Sequence, residues 1–195
     1  MSLSPHRSPI AGRAPAEKSV IRELGETFLT AAALAIVILL FVARAFTVDG
    51  PSMQPTLQSG ERLLIDKVSY YFREPTYGDI IVFRYPADPS QYYIKRVVGL
   101  PGDVIAIAQG MLFVNGQPIV EDYINGPTFG KFGPYTVPEG HYFVLGDNRN
   151  NSEDSRSPRV GPIPRELIVG RAAVRYWPLP RTGFIDSDGV AWASP

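Results

Sequence analysis

The sequence predicts a mainly β protein in which an irregular, barrel-like or sandwich-like β domain follows a single membrane-spanning helix. Three observations predict it. One uncharged apolar run, Thr27–Ala43, stands near the N-terminus. Beyond Phe46 the chain breaks into short β-type runs punctuated by glycine and proline, of which the 195 residues hold 18 and 19. Between two of those runs stands Asn115-Gly116, the strongest short-range hairpin signal.

Residues 1–18, with Pro5, Pro9, Pro15 and several Ser and Arg, read as a disordered tail. Residues 19–46 read as one helix. Its uncharged part is apolar on every face, and such a helix is buried in lipid or in a large core. This chain is too small for the second. With Ala45, Phe46 and Val48 beyond Arg44, the run reaches the short end of a bilayer span, and Arg44 can snorkel to the interface. A core helix and a cleaved signal peptide, the latter from the small-x-small look of Ala43-Arg44-Ala45, are the competing readings. The long polar stretch ahead and the charge at Arg44 weigh against cleavage. Arg7, Arg13, Lys18 and Arg22 precede the run and point the N-terminus inward.

Residues 47–195 form the predicted β domain. Asp79–Tyr85, Gln91–Val98, Met111–Val114, Gln117–Val120, His141–Leu145 and Ile168–Trp177 read as strands, closely spaced as in a sandwich or barrel. Residues 102–145 read as a small hairpin-bearing insert. Composition narrows the function. The 19 Lys+Arg balance 19 Asp+Glu, with no basic stripe to suggest nucleic acid. There is no cysteine and only two histidines, His6 and His141, so a metal site is not expected and no cofactor is implied.

Three stretches carry possible chemistry. In Pro51-Ser52-Met53-Gln54-Pro55-Thr56-Leu57 two prolines bracket a serine and hold it at a fixed angle. Within Tyr92-Tyr93-Ile94-Lys95-Arg96-Val97-Val98, strand alternation puts Tyr93, Lys95 and Val97 on one face. Desolvation there lowers a lysine pKa, which suits a base. Gly146-Asp147-Asn148-Arg149-Asn150-Asn151-Ser152-Glu153-Asp154-Ser155-Arg156 is a polar loop in which Asp154 could pair with Arg96, Arg149 or Arg156. Singly, each has an ordinary reading: a turn, an edge-strand lysine, a solvated loop.

Together, and in this order behind one apolar segment, they resemble the boxes of bacterial type I signal peptidases. Tyr77-Gly78-Asp79-Ile80-Ile81-Val82-Phe83 resembles a fourth box. The resemblance covers most of residues 20–176. It implies an irregular barrel-like β catalytic domain preceded by one transmembrane helix. It also implies a membrane-anchored endopeptidase that removes N-terminal signal peptides from secreted preproteins through an acyl-enzyme. Ser52 would be the nucleophile and Lys95 the general base, a dyad that needs no histidine. Ser152 would orient the lysine. Asp154 would buttress the site through Arg96 and Arg156. Val48, Met53, Leu57, Tyr93 and Ile94 would wall shallow pockets for small residues, with Phe46–Val48 and Gln91–Ile94 as edges for strand addition. The implied partners are preproteins and the lipid bilayer, with the N-terminus cytoplasmic and the domain on the outer face of the cell membrane.

Two positions depart from the family pattern. Gly50 replaces a serine that supplies an oxyanion donor in some members, which leaves more to the Ser52 backbone N–H. Asn150 replaces the usual aspartate. The competing readings are a self-cleaving repressor-type peptidase, which would want a DNA-binding domain, and a catalytically inactive membrane-tethered β module that binds peptides or partners. A β-lactamase-type Ser-x-x-Lys is excluded by Pro55.

Overall fold

Among the described residues thirteen strands and little helix follow the first segment, in keeping with a chain rich in glycine and proline. The computed structural model describes residues 20–185 and 190–192, with residues 37–43 and 190–192 by backbone alone. The predicted tail, residues 1–18, lies outside the described residues. The chain divides after Ile38 into two compact units.

Helix α1 runs Val20–Val42 and carries Arg22, Glu23 and Glu26 in its first two turns, with Arg22 and Glu26 paired at 2.9 Å. Among the described residues no helix is long and apolar enough to cross a membrane. The expected helix to Phe46 also stops short. Residues Ala43–Thr47 form strand β1 instead, because a full antiparallel ladder to β2 is available, from Ala43 opposite Asp66 to Thr47 opposite Arg62. Arg44 is therefore a strand residue. Its guanidinium lies 5.1 Å from the Phe46 and Tyr92 ring centres and donates to the Tyr92 hydroxyl at 3.2 Å.

The remaining elements are β2 (Arg62–Asp66), a one-turn helix α2 (Ser69–Phe72), β3 (Ile80–Tyr85), β4 (Asp88–Gly99), β5 (Val104–Ala108), β6 (Met111–Val114) and β7 (Gln117–Glu121). Then come β8 (Phe132–Thr136), β9 (His141–Leu145), β10 (Ile163–Pro164), β11 (Ile168–Trp177), β12 (Gly183–Phe184) and β13 (Val190–Trp192). One sheet has the order β1-β2-β11-β3-β4-β9-β10, with β12 beside β11, and the other β13-β7-β6-β5-β8. The first sheet is an open path with β1 and β10 at its ends, so the expected barrel is not closed among the described residues.

Antiparallel pairing throughout makes β1, β11 and β4 run the same way. β4 pairs with β3 along Tyr92–Arg96 but reaches β9 only from Arg96 onward. Among the described residues the outer edge of β1 and the second edge of Gln91–Ile94 are thus left without strand partners. β3 is buried on both faces: Ile81 and Phe83 join Val97, Tyr142 and Val144 on one side, while Ile80 and Val82 join Met53, Leu57, Leu63 and Ile65 on the other. A third cluster, around Ile105, Leu112, Phe143 and Leu145, fastens the second sheet to β9.

The insert is smaller than predicted. Its strands end at Thr136, and β9 belongs to the first sheet because its Val144 and Leu145 pair with Val97 and Arg96. The predicted hairpin forms at Asn115-Gly116, with φ of 54° and 80°, the two left-handed residues that a type I′ turn requires. Asn115 tolerates this because its side chain bridges the Val104 N–H at 2.9 Å and Asp103 at 2.8 Å.

Candidate active site

Three chain segments meet at one end of the two free edges. β1 delivers the Gly50–Leu57 turn, β4 delivers Lys95, and β9 runs into the Gly146–Arg156 loop. Gly50 makes the turn out of β1 with φ +82°. The loop then clamps it: Asn148 donates its backbone N–H to Ser52 O at 3.0 Å and its side-chain amide to Pro51 O at 3.1 Å. The approach is so close that a Cβ at Gly146 would fall 2.5 Å from Ser52 O and collide with Ser152 Oγ. Only glycine fits there.

Lys95 is 4% exposed. Its Nζ lies 2.8 Å from Ser52 Oγ and donates to Ile94 O at 2.9 Å. Burial pushes its pKa down from the usual 10.5 to about 8, against the opposing pull of Asp154, Asp147 and Glu153. A serine hydroxyl beside a desolvated amine is a nucleophile beside a base, competent for acyl transfer.

The structure brings some expected residues together and separates others. Val48, Tyr93 and Ile94 line a cleft of about 330 Å³ that also contains Ser52 and Lys95, within the range of ligand pockets. Met53 and Leu57 do not line it. Both are wholly buried in the core behind the serine, since the turn winds helically, with Leu57 N–H donating to Met53 O at 2.9 Å, and puts residues four apart on its inward face. Ser152 makes no hydrogen bond to Lys95. Among the described residues its Oγ is buried without a hydrogen-bond partner, pressed against Gly146, and Ile94 O holds the amine instead. Asp154 forms a bidentate pair with Arg156, both bonds at 2.8 Å, and accepts from Gly146 N at 3.0 Å. It does not reach Arg96, which pairs with Asp147 at 2.9 and 2.8 Å. His141 starts β9 and contacts Glu139 O, away from the cleft lining. Asn150 accepts from Phe129 N at 2.8 Å and donates to Pro127 O at 3.1 Å, a pairing that an aspartate could make only by half.

Several residues without an assigned role complete the site. Asp147 accepts from Thr56 Oγ1 at 2.6 Å as well as from Arg96, so one carboxylate ties the serine turn to the lysine strand. The Arg96 guanidinium sits 4.0 Å from the Tyr123 ring centre, and Arg149 pairs with Glu121. The insert thereby supports the loop from below. Asp147 and Thr56 lie inside the motifs already singled out. Nothing in the spacing of Glu121 or Tyr123 marks them, because their partners, Arg149 in the loop after β9 and Arg96 on β4, are distant in sequence. Among the described residues no group of three His, Cys, Asp or Glu could hold a metal ion.

A mainly β fold thus carries a cleft in which a serine hydroxyl meets a buried lysine amine, and comparison with known proteins gives the family. Residues 21–177 match the family model described as signal peptidase, peptidase S26. A probable signal peptidase I-2 of Synechocystis sp. is 46% identical over 188 residues, covering 89% of this chain and 85% of the relative. Signal peptidase I of Leptolyngbya laminosa is 42% identical, covering 92% and 91%. A crystal structure of a signal peptidase I from Enterococcus faecalis V583 is 34% identical, with a TM-score of 0.45, covering 51% of this chain and 97% of that one. The chain belongs to the signal peptidase family, peptidase S26, and is a serine endopeptidase.

Proposed function

We propose that this chain is a membrane-anchored signal peptidase that removes N-terminal signal peptides from preproteins, with Ser52 as nucleophile and Lys95 as general base. The observation that carries the reading is the 2.8 Å contact between Ser52 Oγ and a lysine amine held out of water. A preprotein segment lies extended between the free edges of β1 and Gln91–Ile94 and adds to both by main-chain hydrogen bonds. Shallow pockets at Val48, Tyr93 and Ile94 take small side chains.

The neutral amine of Lys95 accepts the Ser52 hydroxyl proton as Oγ attacks the scissile carbonyl. The carbon–nitrogen bond then breaks, and the Lys95 ammonium returns the proton to the leaving amine. Water activated by the same amine hydrolyses the acyl-enzyme. With no side chain at Gly50, the backbone N–H of Ser52 is the oxyanion donor. Asp154 and Arg156 hold the loop that Gly146 starts. The uncharged part of α1, from Thr27 to Val42, serves as the bilayer anchor, with the N-terminus cytoplasmic and the β domain on the outer face. The anchor keeps the enzyme at the surface where its substrates emerge.

Detergent-solubilised protein, incubated with a preprotein carrying Ala-x-Ala before its mature start, is expected to cut after the final alanine, as read by product mass. Ser52→Ala and Lys95→Ala are expected to lose at least about 10³-fold in rate. Equal cutting by Lys95→Ala would sink the base assignment. A folded parent that cuts no preprotein would favour a tethered binding module.

The pH dependence follows from the lysine. The base form is neutral, and its pKa is lowered to about 8. The kcat/KM is expected to rise tenfold per pH unit up to about 8 and then level. A profile already flat between pH 6 and 8 would contradict a lysine base.

A further inference from the structure

We propose that Glu153 is a specificity determinant whose carboxylate makes the Ser52 end of the cleft favour preproteins with a basic side chain next to the scissile bond, and disfavour an acidic one there. The inference rests on the peptidase reading above and adds the substrate's charge to it.

Glu153 stands between Ser152 and Asp154 on the loop after β9, exposed at the cleft wall beside Lys95 and Tyr93. Among the described residues it has no ion-pair partner, and its one hydrogen bond, from Ser157 Oγ, is long at 3.5 Å. The cations nearest in sequence are already committed: Arg156 to Asp154 and Arg149 to Glu121. Arg44 belongs to the other end of the cleft, over Phe46 and Tyr92.

The lining holds three charged side chains, namely Asp49, Lys95 and Glu153. Lys95 must give up its proton to work as a base. In the working form the lining therefore carries two carboxylates and no cation. A basic substrate side chain would supply the missing charge, and an acidic one would add a third negative charge near the reacting atoms. On the Ala-x-Ala reading the pockets take small residues at the first and third positions before the cut, so the charge must sit at the second position before the cut or the first position after it.

An exposed charge pair contributes modestly, by an amount that salt screens. Peptides with Lys, Gln or Glu at each of these two positions would be compared by kcat/KM at low ionic strength. The parent is expected to prefer Lys to Glu by about three- to fivefold at one of them. Glu153→Gln should bring that ratio near one, Glu153→Lys should reverse it, and about 0.5 M salt should shrink it in the parent. A parent indifferent to charge at both positions, or a preference that survives in both variants, would overturn the proposal while leaving the peptidase reading intact. If the parent cuts none of the peptides, including the neutral ones, the peptidase reading falls and this inference with it.

Discussion

Replacing Lys95 with methionine is expected to abolish cleavage and at the same time raise the melting temperature. Lys95 is 4% exposed, and its pKa is lowered from 10.5 to about 8, chiefly by burial. A lysine pKa lowered this far means that holding the protonated amine in the fold costs about 3 kcal/mol. The sign follows from linkage. Below pH 8 both folded and unfolded chains carry the proton, and the full cost is felt. Between about 8 and 10.5 the folded chain gives the proton up first, and stability rises with pH. Above 10.5 neither form is charged.

Methionine fills nearly the same volume without the charge. It loses the bond to Ile94 O, which offsets part of the gain. The net is an increase of order 1–3 kcal/mol at pH 7, or several degrees in Tm for a chain of this size. Thermal melts of parent and Lys95→Met at pH 7 and pH 10 test this. The gap should be wide at the first and narrow at the second. A methionine variant that melts lower at pH 7 would mean that the lysine is not strained by burial. Inactivity together with added stability is the signature of a side chain kept for chemistry.

Local signals carried much of the fold. Asn115-Gly116 sets its own turn, and Ile168–Trp177 and His141–Leu145 coincide with β11 and β9, because alternation and turn residues act over a few positions. β1 was hidden because Ala43–Thr47 follows an apolar run that favours helix. Only the ladder to β2, some twenty residues later, makes it a strand. β2 and β5 give little signal because each is short and flanked by charged or polar residues, and β8 because Gly133-Pro134 interrupts it. The site was legible where one residue type does one job: a serine between prolines and a lysine in an apolar strand. It was not legible where several residues of one type compete for one partner. Asp154 had three candidate arginines, and nothing in one dimension says that Arg156 takes it while Arg96 goes to Asp147. Likewise Met53 and Leu57 sit next to the serine in sequence, yet the turn sends them into the core.

Asp147→Ala is expected to destabilise the protein by about 3–5 kcal/mol, the largest effect of any single change here, because it strands a buried charge. The Arg96 and Asp147 side chains are 2% and 0% exposed and share two hydrogen bonds. Thr56 adds a third, at 2.6 Å. Removing the carboxylate leaves the guanidinium with Gly78 O at 3.1 Å and the face of Tyr123, too little for a full charge out of water. It also frees the Ser52 turn from the Lys95 strand, so the 2.8 Å contact loosens and kcat should fall more than affinity.

Replacing both partners by apolar residues of similar size, Arg96→Met with Asp147→Leu, separates the two consequences. Stability should return in large part, since a buried pair is worth little over a well-packed apolar one. Activity should not return, because Thr56 still lacks its acceptor. Denaturant midpoints and cleavage rates for the two variants decide the matter. A single variant that loses less than about 1 kcal/mol would show that Arg96 finds another counter-charge or water. A double variant with recovered activity would show that the carboxylate serves stability alone and does not hold the serine to the lysine.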